Sequence, residues 1–196
     1  NPNPKAIQNV IKVLKSGGLV IYPTDTVYGL GCDIFNQKSV ARICQIRRID
    51  PAKANLTFIC KDIQQLSKYV YQIDNQLFRL LKDNVPGAFT FILKANKEVP
   101  RHLKIKKDTI GIRIPDHAIT QQLISLLGHP IMSMSLPPNE WDSYETDPEE
   151  IWQRFSKVVD LVIDGGIGEN VASTIIDLTG HEPVIVREGK GDVNVI

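Results

Sequence analysis

Leu19-Val20-Ile21-Tyr22-Pro23-Thr24-Asp25-Thr26-Val27-Tyr28-Gly29-Leu30-Gly31 decides the reading of this chain. Its first four residues form an apolar, β-prone run bounded by Gly17-Gly18 and Pro23, which predicts a buried strand. After Pro23 come two threonines, a carboxylate, a phenol and glycines, the composition of a turn-rich loop running to Asp33. A polar loop leaving a strand end is where α/β proteins place ligand groups. A Thr/Asp turn that satisfies its own backbone has the same composition.

Upstream, Ile7, Val10, Ile11 and Leu14 recur at helical spacing, so Pro4 to Ser16 reads as an amphipathic helix closed by Gly17 and Gly18. Downstream, Val40, Ile43 and Cys44 mark a second helix that runs toward Arg47, and Leu56 to Cys60 reads as a strand. Two further helices are predicted near Asp62 to Val70 and Asp74 to Lys82, then strands at Phe89 to Lys94 and Ile110 to Ile114. A helix through His117 to Leu127 and strands near Ile131, Val159, Thr174 and Val184 follow, and Leu136 to Pro148, with three prolines, reads as an exposed loop able to act as a lid. The pattern predicts an α/β fold, a mixed sheet packed by helices, in one domain.

The 196 residues, 42% hydrophobic and 23% charged, suit one globular core and exclude a disordered, collagen-like or fibrous chain. Apolar runs such as Gly18 to Tyr22 and Val158 to Ile163 fall far short of the ~20 residues of a membrane helix. No basic stretch precedes an apolar run at Asn1, and Cys32, Cys44 and Cys60 are odd in number and widely spaced. A cytoplasmic protein with reduced, buried thiols is the expectation. His102, His117, His129 and His181 lack metal-ligand spacing, so no metal site is expected.

Charge is uneven along the chain. Nineteen basic and 8 acidic residues precede or include Arg113, and 4 basic and 14 acidic residues follow. Either a basic face meets phosphates, or the two halves neutralise each other across the fold.

No P-loop and no Gly-x-Gly-x-x-Gly fingerprint occurs. The Pro23 to Gly31 loop instead resembles the hallmark of the YrdC/YciO-like family, Pro-Thr-Asp/Glu-Thr-x-Tyr-Gly-Leu-Gly after the first strand. The resemblance continues through Pro86-Gly87-Ala88-Phe89-Thr90, Asp108-Thr109-Ile110-Gly111-Ile112-Arg113-Ile114-Pro115, Ser133-Met134-Ser135, Ser173-Thr174-Ile175-Ile176-Asp177 and Val186-Arg187-Glu188-Gly189, nearly the whole chain in order. The stretches Ser133 to Leu136, Asp147 to Ile151 and Val186 to Val193 place it nearest the YciO-like branch.

The resemblance implies a twisted mixed sheet with a concave basic surface, and threonylcarbamoyl-adenylate synthesis from L-threonine, bicarbonate and ATP with release of pyrophosphate, a step of tRNA modification. It implies that Thr26, Arg113, Ser133 and Ser173 hold the amino acid, and that Arg48, Thr109, Ser135 and Arg187 hold the nucleotide. ATP is then a substrate, with Mg²⁺, and no tightly bound cofactor is expected. Arg113 lies on an apolar strand, where a guanidinium must find an anion. A ligand carboxylate and an internal salt bridge both meet that need.

The pattern also breaks. Active synthases carry Lys-x-Arg after the second helix, then an asparagine and a histidine. Aligned on Pro51, those positions hold Arg48, Asp50, Ala54 and Ile59, and Pro137 replaces the asparagine of Ser-x-Asn. Weak or absent synthesis follows. The alternatives are a double-stranded RNA or tRNA binder with a vestigial nucleotide pocket, and an adenylate hydrolase. The basic run Lys94, Lys97, Arg101, Lys104, Lys106 and Lys107 is the candidate RNA contact, or simply solvated loop charge.

Overall fold

The computed structural model describes residues 3–50, 54, 56–103 and 108–195. All nine of their strands belong to one sheet, and its geometry follows from short local signals.

The first helix, α1 (Pro4–Lys15), starts where the Asn3 side chain accepts from Lys5 N at 3.0 Å and Pro4 presets the first turn. It buries the Ile7, Val10, Ile11 and Leu14 stripe and ends before Gly17, whose φ of +86° suits glycine. Then come β1 (Val20–Tyr22) and β2 (Gly29–Asp33). Next is α2 (Gln37–Ile46), capped by Asn36 and burying Val40, Ile43 and Cys44. After it run β3 (Thr57–Ile59), α3 (Ile63–Leu66), α4 (Asn75–Asn84), β4 (Phe89–Lys94) and β5 (Thr109–Arg113). The chain closes with α5 (Ala118–Leu127), β6 (Ile131–Ser135), α6 (Pro148–Phe155), β7 (Leu161–Val162), β8 (Thr174–Asp177) and β9 (Val184–Arg187).

Three expectations need correction. The Thr/Asp/Gly-rich segment is a loop only to Tyr28, because Gly29 to Asp33 forms β2 inside the sheet, paired on both sides. The helix expected over Asp62 to Val70 is a single turn, capped by Asp62, after which Val70 bridges to Ala95. Within Leu136 to Pro148 the chain is irregular as expected, but Asp147-Pro148-Glu149 opens α6, in which Ile151 and Phe155 are buried one turn apart.

The strand order is β7-β1-β2-β6-β3-β5-β4-β8-β9. The β1/β7, β3/β5 and β4/β8 pairs are parallel and the other pairs antiparallel. Alternation along each strand separates two faces. Leu19, Ile21, Leu30, Cys32, Phe58, Phe91, Ile112 and Met132 point to the face covered by α2, α3, α4 and α6. Val20, Tyr22, Ile59 and Ile131 point to the other, where α1 and α5 pack. These two helices cover that face at β1 and as far as Ile131 of β6 and Ile59 of β3. Beyond them, across β5 and β4 to β8, the face is left open and carries Thr57, Thr90, Arg113, Ser133 and Ser135 together with Ile92 and Ile175. The three cysteines are buried free thiols, and burial pushes Cys32 and Cys60 far above the usual thiol range.

Candidate active site

Pairing register arranges the open face in rows about 7 Å apart. One row runs Ser133, Thr57, Gly111, Ile92. Two residues toward one edge lie Ile131, Ile59 and Arg113, with Thr90 next in register, then Ile175 and Arg187. Two residues the other way lie Ser135, Thr109 and Lys94. Gly111 leaves a floor between them, where a Cβ would come 2.8 Å from Thr57 Oγ1. Gly29 and Gly31 do the same beside Ser133, and the Tyr22 ring fills the space their side chains would take, at 2.9 and 2.8 Å.

A cleft of about 40 Å³ opens on this floor, lined by Tyr22, Thr24, Val27, Thr57, Ile59, Thr90, Arg113, Ser133, Ser135 and Ser173 among others. A groove of about 970 Å³ lies elsewhere, between α3 and α4, with apolar walls flanked by Lys61 and Lys82. The small cleft is the better candidate because buried polar groups converge on it.

Arg113 is the centre of the cleft. Its side chain is 7% exposed, and Nη2 donates to Asp25 Oδ1 at 2.6 Å. Nε is buried without a partner. Burial lowers the guanidinium's proton affinity, while the Asp25 and Tyr22 oxygens oppose this and Arg187 adds to it. The internal salt bridge foreseen as the alternative to a ligand carboxylate is therefore present, but it uses only one edge of the guanidinium.

Hydroxyls surround this cation. Tyr22 Oη donates to Ser133 Oγ at 2.6 Å, and burial pushes the phenol well above its usual range, so it stays a donor. Thr90 and Ser173 hydroxyls lie 2.8 Å apart. Arg187 donates from Nε and Nη2 to Ser173 O at 3.2 and 2.7 Å, fixing the start of β8. The Pro23 to Tyr28 loop is pinned from within, because Thr24 Oγ1 donates to Val27 O at 2.8 Å and accepts from Thr26 N at 3.0 Å. From outside, Thr120 of α5 donates to Pro23 O at 2.6 Å. Buried Thr26 meets Thr24 at 3.2 Å, behind the lining.

Arg113, Ser133, Ser135 and Ser173 thus line one cleft, while Thr26, Arg187 and Thr109 lie outside its lining, Thr109 about 13 Å along β5 from Arg113. Arg48 does not line it. It follows α2 with φ +51°, and Asp50 lies close enough to Cys44 that, with burial, its charge raises that thiol. Ala54 packs against the core, and Ile59, where the family's histidine is expected, turns an apolar wall to the cleft. Lys94 is the exposed last residue of β4, beside Thr109 on the open face, while Lys97 and Arg101 follow the strand. Lys104, Lys106 and Lys107 lie outside the described residues. Sequence reading missed Tyr22, Thr57 and Thr90, which enter only through register, and Lys190, which reaches Asp25 from the C-terminal segment.

Three comparisons bear on this geometry. The Sua5_yciO_yrdC model, described as "Telomere recombination", matches residues 12–189. The chain belongs to the Sua5/YciO/YrdC family. Escherichia coli (strain K12) YciO is 46% identical over 194 residues, 98% of this chain and 93% of its own. The crystal structure of E. coli YciO superposes with a TM-score of 0.92 over 100% of this chain and 94% of that one, again at 46% identity. A threonylcarbamoyl-AMP synthase of Coxiella burnetii (strain RSA 493 / Nine Mile phase I) is 30% identical over 184 residues, 94% of this chain and 92% of its own. Pyrococcus abyssi Sua5, in its crystal structure complexed with L-threonine, matches with a TM-score of 0.87 at 30% identity. The match covers 96% of this chain but 55% of the Sua5 chain. A synthase-like role therefore holds at family level. No helix among the described residues is long and apolar enough to cross a membrane.

Proposed function

We propose that the cleft is an adenylate-forming site of the threonylcarbamoyl-AMP synthase type, working slowly. Arg113 takes a small amino acid by its carboxylate, and Thr26, Ser133 and Ser173 shape that end. Thr109, Ser135 and Arg187 take the nucleotide, supplied as ATP with Mg²⁺.

The observation that carries this reading is the unpartnered Nε of a guanidinium that is almost wholly buried. An unmet buried donor is unfavourable unless something accepts from it, and a carboxylate lying against that edge does so with charge assistance. Ligand size supports placing Thr109 at the nucleotide end, since the rows of Arg113 and Thr109 are about 13 Å apart, the reach of an adenylate rather than of an amino acid, whereas Arg187, in the row of Arg113 and bonded to Ser173 O, would meet the nucleotide where the two ends join. The slowness follows from Ile59 and Asp50 standing where the family pattern has a histidine and an arginine, and from Arg48 lying off the cleft lining, which together thin the positive charge that phosphoryl transfer uses. For a tRNA partner, Lys94 on the open face is the surface on which phosphates would lie.

The test is to incubate the protein with ATP, Mg²⁺, bicarbonate and each amino acid, and to follow pyrophosphate and the adenylate by mass spectrometry. We expect a threonine-dependent adenylate at well below about 1 per second. An ordinary turnover would overturn the assignment of the loop after α2. No adenylate with any amino acid would overturn the synthase reading.

A further inference from the structure

Lys190 lies outside the cleft lining itself, on a C-terminal segment that runs beside one lining residue, Ser173, while its side chain reaches the residue next to another, Thr24. Its backbone is fixed there, since Lys190 N donates to Ala172 O at 2.8 Å and Gly189 N to Thr174 Oγ1 at 2.9 Å. Thr174 Oγ1 in turn donates to Gly191 O at 2.6 Å. A Cβ on Gly189 would stand 2.2 Å from Ala172 O, so the strap lies directly against the start of β8, beside Ser173. From this anchor the side chain reaches across to the opposite wall, where Nζ donates to Asp25 O at 2.8 Å and to Glu169 Oε1 at 3.0 Å.

We propose that Lys190 Nζ is an oxyanion contact of the ligand, taking a phosphoryl or carboxylate oxygen in place of Glu169. The inference rests on the reading of the cleft as a site for a nucleotide and an amino acid. Three observations carry it. An ammonium has three donors and two are used, both on the side of Asp25, the residue whose carboxylate holds Arg113. Its charged partner is exchangeable, because the Glu169 side chain is 52% exposed and an exposed pair contributes little. The position is also one where charge is needed, since Arg113, the cation in the cleft lining, is already half committed to Asp25, and Lys190 Nζ lies against the backbone of that same residue. Lys190 bridges the strap and the Asp25 loop, so a ligand entering between them meets its ammonium at the rim.

Calorimetric binding of AMP and of L-threonine, each alone, to the full chain and to Lys190→Met, Lys190→Arg and Glu169→Gln tests this. Lys190→Met should weaken one of the two ligands by about ten- to a hundredfold, the loss of a charged hydrogen bond, with thermal melting preserved. The ligand affected tells whether the oxygen is phosphoryl or carboxylate. Lys190→Arg should recover most of that loss. Glu169→Gln should strengthen the same ligand about two- to fivefold by removing a competitor. If Lys190 merely ties the strap to the loop, Glu169→Gln weakens binding instead, and Lys190→Met affects both ligands alike. Either of those results, or no change in Lys190→Met, overturns the inference while leaving the site reading intact. Failure of the unmodified protein to bind either ligand overturns both.

Discussion

Replacing Asp25 by asparagine keeps an oxygen beside Arg113 and removes its charge. The pair is 2.6 Å apart between Nη2 and Oδ1, with side chains 7% and 15% exposed, so water cannot readily replace the lost carboxylate. With charge centres about 4 Å apart and an effective dielectric near 20, the lost attraction is about 4 kcal/mol, within the 3–5 kcal/mol that breaking a buried pair typically costs. Urea unfolding of Asp25→Asn should therefore show a stability loss of about 3 kcal/mol or more at unchanged m. An anionic ligand should recover part of that loss, because a carboxylate on Nε supplies the missing counter-charge. L-threonine should then raise the midpoint of Asp25→Asn more than that of the unmodified protein. A loss below about 1 kcal/mol would mean that the guanidinium finds water or another acceptor, and would refute the argument from an uncompensated buried charge.

Gly29→Ala should destabilise by about 1–3 kcal/mol, because its Cβ would meet Tyr22 Cζ at 2.9 Å and Ser133 Oγ at 3.2 Å. It should weaken amino-acid binding too, by moving the Tyr22 phenol off Ser133, and an unfolding midpoint within error of the original protein would sink this account. His117, whose Nδ1 is buried without a partner, has its pKa pushed below the usual value by burial, more than Asp25 and Asp116 raise it. The unfolded chain therefore binds this proton more readily than the folded one. That stability is present above about pH 6.5 and is lost as pH falls through the lower folded value. Unfolding measured from about pH 7 down to about pH 5 should be less steep in His117→Asn, and identical slopes would show that the ring titrates as in the unfolded chain.

Much of the site was legible from local sequence. The strand Val20–Tyr22 announces itself as a β-branched run between glycine and proline, and the polar loop after it leads to Arg113 through a quoted family pattern. Both signals span only a few residues. The α6 signal was also local, since Asp147 caps, Pro148 and Glu149 follow, and Ile151 and Phe155 recur at i, i+4. There a prolyl, polar surrounding masked a legible pattern.

The sequence alone determined the alternation of helices and strands and the membership of Arg113 in an apolar strand, because each depends on side chains within a turn or two of one another. Only the tertiary structure decided that Gly29 to Asp33 is an interior strand. Glycine has poor strand propensity, and what holds Gly29 and Gly31 there is the Tyr22 ring filling the space of their absent side chains from the neighbouring strand. Register likewise placed Thr90 beside Arg113 and Thr57 one row away from it, in the same cleft. Folding also brought Asp25 to Arg113 across 88 positions and Lys190 to Asp25 across 165. No local pattern encodes such pairings, since a charge finds its partner only when packing has removed the water that would otherwise solvate it.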